Sequence, residues 1–455
     1  MPVANKVAVA NKMPVANKVA VANKVAVANK VAVANKVAVA NKVAVANKVA
    51  VANKMPVANK MPIANKVAVA DKMPVANKVA VAIDMENIIN QQFALRKLLN
   101  NKAFHASKEA IHKKELTLEK EPHIHIIIRH VAQQIVANPD NILIDTYTLM
   151  ERAKDWLALL QKAVIVDNEV IHIDTRTRPG HKILDHHMPH FYEVKNYKGK
   201  SVKSIFTQAT LEKALFTNVL MHSTPYKSEI RRMITMTGGL GSVTKYRTVT
   251  AKALVQFFGA RRVLDPCTGW GGRLLGCLAA ANDTYYVGCE PDKNTYKGLS
   301  DLLADEALPL AARVRARILQ KPAEVALRED IEQMAPFDMV LTSPPYFNLE
   351  QYTDSTDQSI TTYTTWDDWL EKWLTPVILG ALTALKPGGV SCWSVKNFKS
   401  DKHYPLADAT KKIHADAGWT LVKVVAMTGS ARPGAGPSAK KKKLSEEETF
   451  CFKKL

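Results

Sequence analysis

In the C-terminal half of the chain, short unbroken apolar runs alternate with longer stretches whose apolar positions recur every three or four residues. The short runs lie at 262–264, 285–289, 317–319, 338–341, 390–395, 421–426 and 449–452, and they read as strands. Helical spacing is found at 211–220, at 249–258, and between each pair of the first five strands. Strand–helix alternation at this spacing predicts a doubly wound, mostly parallel α/β sheet. A Pro/Gly/Lys loop with no helical pattern separates the last two strands, so they are expected to form an antiparallel hairpin. Six parallel strands with one antiparallel insertion would be unlike a plain dinucleotide-binding fold.

Upstream the pattern changes. Ile88, Ile89, Phe93, Leu95, Leu98 and Leu99 recur at near-helical spacing, and so do Leu149, Ala153, Trp156, Leu157 and Leu160. Between them 124–128 is a short β-like run, and 164–190 reads as strands and turns. Residues 1–84 are a hexapeptide repeat, VAVANK or MPVANK. A period of six matches the two-residue alternation of a strand and not the 3.6 of a helix, which permits a β-solenoid. Nearly all its bulky aliphatics are Val, and several units carry Pro, so a disordered or loosely structured tail is the expectation. The chain divides into this tail, a mixed α+β accessory region at 85–190 (helical, then His-rich) and an α/β domain at 191–455.

Charge must be read after the repeat is set aside. The chain has 63 Lys+Arg against 42 Asp+Glu, a formal net charge of +21, but the repeat holds 13 of the basic and 2 of the acidic residues. The other 371 residues carry a net +10, which permits a polyanionic partner without naming one. A weak electrostatic hold on nucleic acid is the functional alternative for the repeat lysines. No run of about 18 uncharged apolar residues occurs, and no signal peptide opens the chain, so neither a membrane span nor secretion is expected. Cys267, Cys277, Cys289, Cys392 and Cys451 are scattered with no CxxC pair. That argues against a disulfide framework or structural zinc and for an intracellular, reducing compartment.

Ten of the 13 histidines fall between His105 and His190. His181, Asp185, His186, His187 and His190 offer imidazole and carboxylate for a metal. Pro189 argues against a helix joining His186 to His190, and no general-base Glu accompanies them. A polar, His-rich surface loop is the preferred reading, with no metal.

Three segments carry chemistry. In RRVLDPCTGWGGRLLG a strand ends at Asp265, and Pro266, Thr268, Gly269 and Gly271 form a glycine-rich turn before an apolar helix. Such a turn brings backbone close to a ligand. It has neither the phosphate-loop nor the dinucleotide spacing, and an Asp at the strand end suits a ligand with a cationic amino group. Glu290 ends the second strand 25 residues after Asp265, where an acidic side chain accepts from both hydroxyls of a ribose. The third segment is a buried strand running into Ser343, Pro344, Pro345 and Tyr346. Consecutive prolines fix an extended backbone and cannot donate to a ladder, leaving carbonyls free for an exocyclic amino group beside an aromatic ring. The bland alternatives are a packing turn, a surface Glu and a rigid Pro-Pro corner.

Together these residues resemble the exocyclic-amino DNA methyltransferases that use S-adenosylmethionine. DPCTGWGG looks like the variant of phage and large-virus DNA methylases, and Ser343–Tyr346 matches the family's [DNS]-P-P-[YFW] tetrapeptide. The resemblance extends through HSTPYKSEIRRMITMTGGLGSVTKYRTVTAK and LKPGG and covers 191–455. It implies a class I, Rossmann-like methyltransferase sheet and S-adenosylmethionine as cofactor. Asp265 would meet the methionine amino group, with Pro266, Thr268, Gly269 and Gly271 nearby. Glu290 would hold the ribose, and the 244–248 segment, with Thr248, would touch the methionine end. The SPPY form points to N4 of cytosine in a base flipped out of double-stranded DNA. The alternatives are N6 of adenine, an RNA or protein-glutamine substrate, and a catalytically silent nucleic-acid-binding protein. At the third strand Lys321 stands where the family often has an acceptor for adenine. Cys267 reads as packing. Lys396, Lys399, Lys402 and the 440–443 lysines are candidates to track phosphates. The setting implied is the cytoplasm or, in a eukaryotic host, the nucleus or a viral factory.

Overall fold

The computed structural model describes residues 30–34, 37–39, 48–50, 122–167, 170–172, 177–221, 226–240, 243–353, 355–428 and 445–454. The chain forms two compact units, Met1–Ala94 and Leu95–Leu455. In the first, three short strands of the repeat pair: Lys30–Ala34 lies between Val37–Val39 (antiparallel) and Lys48–Ala50 (parallel). The rest of the tail expected over 1–84, the helix expected over 88–99 and the 440–443 lysines lie outside the described residues.

The second unit is built on a seven-stranded sheet. Its strands are β1 (Arg262–Asp265), β2 (Tyr285–Cys289), β3 (Ala316–Leu319), β4 (Phe337–Thr342), β5 (Leu385–Val395), β6 (Thr420–Thr428) and β7 (Ser445–Lys453). Their order is β3-β2-β1-β4-β5-β7-β6. All contacts among β1 to β5 are parallel, and β7 inserts antiparallel to both β5 and β6. This is the arrangement expected of a class I methyltransferase sheet, with the terminal hairpin placed as the helix-free loop required.

Both faces of the sheet are covered, and the two-residue period of each strand divides its side chains between them. Val263, Tyr286, Met339, Leu341 and Cys392 belong to one buried cluster, with Leu254, Leu275 and Leu299. Leu264, Val287, Val340, Trp393 and Val395 belong to the other, with Trp369, Val377 and Ile378. The first cluster is closed by α2 (Leu149–Gln161), α3 (His181–His187), α6 (Thr248–Phe258), α7 (Gly272–Leu278) and α8 (Lys293–Ala304). Thr148 starts α2, its hydroxyl accepting from the Glu151 N–H at 3.3 Å. The buried ammonium of Lys252 on α6 closes the other end of α2, donating to the carbonyls of Leu159, Leu160 and Lys162 at 2.8–2.9 Å.

Two expectations are corrected. The β-like run at 124–128 is the start of a helix, α1 (Pro122–Ala137). Pro122 suits a first helical position, and Ile128, Val131, Ala132 and Ile135 make one face. That face packs on α4 (Gln208–Leu220) and α5 (Lys227–Thr237), so tertiary burial overrides the β-branched preference. Within 164–190 a short hairpin, Ile165–Asp167 with Val170–His172, is present as read, but 181–187 is helix α3. Packing runs across residue 190: Trp156, Leu159, Ile183 and Leu184 sit in the same core as the sheet. No helix among the described residues is long and apolar enough to cross a membrane.

Candidate active site

The three sequence motifs converge at the carboxyl ends of β1, β2 and β4, where the strand order reverses between β1 and β4. Asp265 is fully buried at the end of β1. One carboxylate oxygen accepts from Arg273 Nε at 2.7 Å and the Tyr286 hydroxyl at 2.6 Å. The other accepts from the Thr342 hydroxyl at 2.7 Å and the Cys267 N–H at 3.1 Å. Four donors occupy the four lone-pair directions of a carboxylate. The side chain therefore has no acceptor left for the ligand amino group expected there. Arg273 also donates to the carbonyls of Cys267 and Thr268, and its guanidinium lies 4.9 Å from the Tyr246 ring centre. Burial works against this charge, but Asp265 outweighs it and holds Arg273 above its ordinary range.

The glycines do two jobs. A Cβ on Gly272 would meet the Tyr246 carbonyl at 2.2 Å, and one on Gly276 the Thr248 carbonyl at 2.3 Å, so these two let α7 lie against the start of α6. Gly269, at φ +55°, has no neighbour closer than 3.9 Å in the Cβ direction and leaves a cradle open. Gly271, at φ +80°, is bounded by Leu299 and Leu184. Gly288 on β2 is bare because a Cβ there would meet Thr268 Oγ at 2.1 Å. That clearance lets the Thr268 N–H reach the Cys289 carbonyl at 2.9 Å and fastens the turn over the strand.

Glu290, 9 % exposed, follows β2 and leans back on the same turn. Its carboxyl accepts from the Gly269 N–H at 3.1 Å and the Asp292 N–H at 3.0 Å. Burial outweighs these hydrogen bonds and pushes its pKa up to about 8. The folded free protein thus holds a proton that the unfolded chain, near 4.5, has lost, and stability falls as pH rises between these values.

The third motif joins the first through one residue. Thr342, fully buried, is the last residue of β4 and the one bonded to Asp265; Ser343 follows it directly. Ser343 and Pro345 are half-buried, while Pro344 and Tyr346 are buried. The Tyr346 ring is 7 % exposed and meets Phe398 edge-on, 5.4 Å between centres. Phe347 adopts φ +41°, a strained left-handed conformation for a bulky residue. Its ring is held by Trp366, Trp369 and Tyr404 at 5.3–5.7 Å. Asn348 then donates to Asp401 at 2.6 Å and accepts from the Ser400 hydroxyl at 2.7 Å.

Other expected residues are placed elsewhere. Thr248 is fully buried and gives its hydroxyl to the Pro179 carbonyl at 2.5 Å, tying α6 to the turn before α3. Its carbonyl lies against Gly276 of the glycine helix. Lys321 is turned to Asp330 at 2.7 Å and Glu329 at 3.4 Å. Burial pushes the Cys267 thiol well up, which keeps it unreactive.

The histidine cluster is not the polar surface loop preferred on sequence grounds. His181 is buried and neutral, its pKa held down to about 3 by burial. Its neighbours diverge: His186 accepts from the Tyr147 N–H, His187 meets Asp305 at 2.8 Å, His190 meets Thr295 at 3.0 Å, and Asp185 pairs with Lys245 at 3.0 Å. Among the described residues no group of His, Cys, Asp and Glu converges on a metal position. Sequence reading missed Arg273, Tyr286 and Thr342, the partners of Asp265. Arg273 and Thr342 stand beside the motifs, but neither signals burial.

No family model matches the chain, and no curated protein matches it. Among solved structures it is similar to a protein of Streptococcus mutans assigned to the SAM-dependent methyltransferases (11 % identity, 47 % of this chain, 51 % of that one, TM-score 0.31). It is also similar to TehB from Haemophilus influenzae (10 %, 49 % and 66 %, 0.29). A third is the glycopeptide N-methyltransferase MtfA in complex with S-adenosyl-L-methionine (12 %, 47 % and 100 %, 0.30). The chain spans about half the length of the first. At these scores the likeness carries no functional weight, and the fold stands on its own sheet order.

Proposed function

We propose that this chain is an S-adenosylmethionine-dependent methyltransferase acting on the exocyclic amino nitrogen of a base flipped out of double-stranded DNA, N4 of cytosine foremost. The observation that carries the reading is the Thr342–Asp265 hydrogen bond, 2.7 Å long and fully buried, which locks the residue before Ser343 to the glycine turn. A donor held over that turn and an amino group held at Ser343–Pro344 are brought side by side at the switch point of the sheet. Proximity of this kind supplies much of the rate of a direct transfer.

The residues fit the cofactor. The open cradle at Gly269 admits a ligand backbone, Thr268 and Gly271 wall it, and the Glu290 carboxyl waits for two hydroxyl donors. Asp265, Pro266 and Arg273 act by holding the turn in its shape around the methionine end. When bound, S-adenosylmethionine supplies an electrophilic methyl on a sulfonium. The chain's part is to hold the acceptor nitrogen. The Ser343 hydroxyl oxygen and the Pro344 carbonyl accept its two N–H bonds and favour a pyramidal geometry with the lone pair free. No protein nucleophile is required. The base, once extruded, is stacked by Tyr346, whose ring Phe398 holds in place. Mass spectrometry of nucleosides from the DNA of cells expressing the chain should show N4-methylcytosine; N6-methyladenine would move the target base, and neither would end the DNA reading.

Glu290 gives a second expected result. Ribose hydroxyls stabilise a carboxylate, so cofactor binding should expel the proton the free protein holds at pH 7. Calorimetric heats at pH 7 should then differ between Tris and phosphate by close to the difference between the two buffers' ionisation enthalpies, as for one proton taken up by the buffer. The difference should vanish above about pH 9 and in Glu290→Gln, given a pKa of about 8. Equal heats in both buffers at pH 7 would remove Glu290 from the ribose site.

A further inference from the structure

Two lysine turns of the same composition are fastened to opposite ends of the segment that follows the catalytic tetrapeptide. The first reads Lys195-Asn196-Tyr197-Lys198-Gly199-Lys200, the second Lys396-Asn397-Phe398-Lys399-Ser400-Asp401-Lys402. They are 201 positions apart in sequence. In both, the asparagine is spent on building the turn. Asn196, 8 % exposed, accepts from the N–H groups of Lys198 at 2.9 Å and Lys200 at 3.1 Å, and donates to the Leu240 carbonyl at 3.3 Å. Asn397 accepts from the Ala407 N–H at 2.9 Å and donates to Asp408 at 2.7 Å. The turns are thereby rigid, and their lysines face outward.

Each turn grips the 343–352 segment. Residues 195–196 pair antiparallel with Glu350–Gln351, Asn196 opposite Glu350 and Lys195 opposite Gln351. The second turn holds Asn348 through Ser400 at 2.7 Å and Asp401 at 2.6 Å. Asn348 and Glu350 are two residues apart, so the two turns hold one short stretch of chain. Lys198, Lys200, Lys396, Lys399 and Lys402 are exposed, and among the described residues none is in an ion pair. The nearby acids are already engaged: Asp401 by Asn348, Ser400 and Tyr404, and Glu193 by Lys203. Glu350, near Lys396, offsets at most one of these five charges, so both flanks stay positive.

Building on the proposed activity, we propose that these two turns clamp the backbone of a DNA duplex, taking phosphates on the two sides of the nucleotide drawn out toward Ser343–Tyr346. Contacts of this kind set register and orientation without reading sequence. They also explain why both turns are anchored to the catalytic segment: the grip on the duplex and the placement of the base become one rigid geometry.

The test uses the full chain and a short unmodified duplex. Affinity is measured across a range of salt for wild type, for Lys198→Ala/Lys200→Ala, for Lys396→Ala/Lys399→Ala/Lys402→Ala, and for Lys386→Ala at the opposite end of β5. Each lost phosphate contact lowers the log–log salt slope by about 0.9. The double variant should lose about 2 in slope, the triple about 3, and Lys386→Ala should match wild type, with circular dichroism and cofactor binding unchanged. Unchanged slopes in either set, an equal fall in Lys386→Ala, or no duplex binding by wild type would overturn the clamp. Tighter binding to single-stranded RNA of the same length would overturn the duplex as its partner. The clamp and the chemistry fail separately: methylated DNA with unaltered slopes refutes the clamp alone, and lysine-dependent slopes without methyl transfer refute the chemistry alone.

Discussion

Asp265→Ala should lower the unfolding free energy by about 3–5 kcal/mol, because it strips a buried guanidinium of its counter-charge. The magnitude follows from how completely the pair is enclosed: Asp265 is fully buried, Arg273 is 4 % exposed, and the contact is 2.7 Å. Thr342, Tyr286 and the Cys267 N–H would lose their acceptor in the same step. Loss of S-adenosylmethionine binding in this variant would therefore be ambiguous on its own. The double variant Asp265→Asn/Arg273→Leu separates the two effects. With both charges gone, much of the stability should return, since an enclosed ion pair replaced by neutral groups of similar volume is near break-even. Cofactor binding should not return, because the guanidinium that bonds the Cys267 and Thr268 carbonyls and sets the shape of the turn is gone. Urea unfolding followed by calorimetry on the folded protein reads both quantities. A denaturation midpoint for Asp265→Ala equal to wild type would show that the pair does not support the fold. Restored cofactor affinity in the double variant would show that the turn needs no such support.

The strands are legible because each is a short apolar run, buried on both faces in the central strands β1, β2, β4 and β5, and every one of the seven lies within a few residues of its expected place. The helix-free loop before the last strand sufficed to predict its antiparallel insertion. What could not be read were the pairings that span the sequence. Asp265 looked like a ligand contact because its position at a strand end says nothing of Tyr286, 21 residues on, or Thr342, 77 residues on. The 124–128 run looked like a strand because Ile126, Ile127 and Ile128 are β-branched. Its helical face became visible only against α4 and α5. The histidines were crowded in sequence but are spread in space, since α3 turns successive side chains to Tyr147, Asp305 and the core. The likeness of the two lysine turns lay in plain view, but only the pairing of 195–196 with 350–351 gives it meaning.

Ser343→Ala and Tyr346→Ala should each slow methyl transfer per folded molecule, and by different routes. Ser343 contributes one of two acceptors for the amino group, and the Pro344 carbonyl stays. Its interaction strengthens as the nitrogen pyramidalises, so the loss should fall on turnover and leave cofactor affinity within about twofold. Tyr346 carries two burdens. Its ring is 7 % exposed and packs on Phe398, so truncation to Ala opens a cavity and should cost about 3–5 kcal/mol of stability, as for other large aromatics. If it also stacks on the extruded base, a further loss of roughly 1–3 kcal/mol appears in the transfer step, about ten- to a hundredfold in rate. Tyr346→Phe keeps the ring and its edge contact and should stay within about threefold of wild type on both counts. Single-turnover rates on an unmodified duplex, corrected for the folded fraction at a denaturant-free temperature well below the midpoint, divide these contributions. A rigid Pro-Pro corner without chemistry makes the opposite forecast: both alanine variants would lose stability, and the folded remainder of each would transfer methyl groups at the wild-type rate.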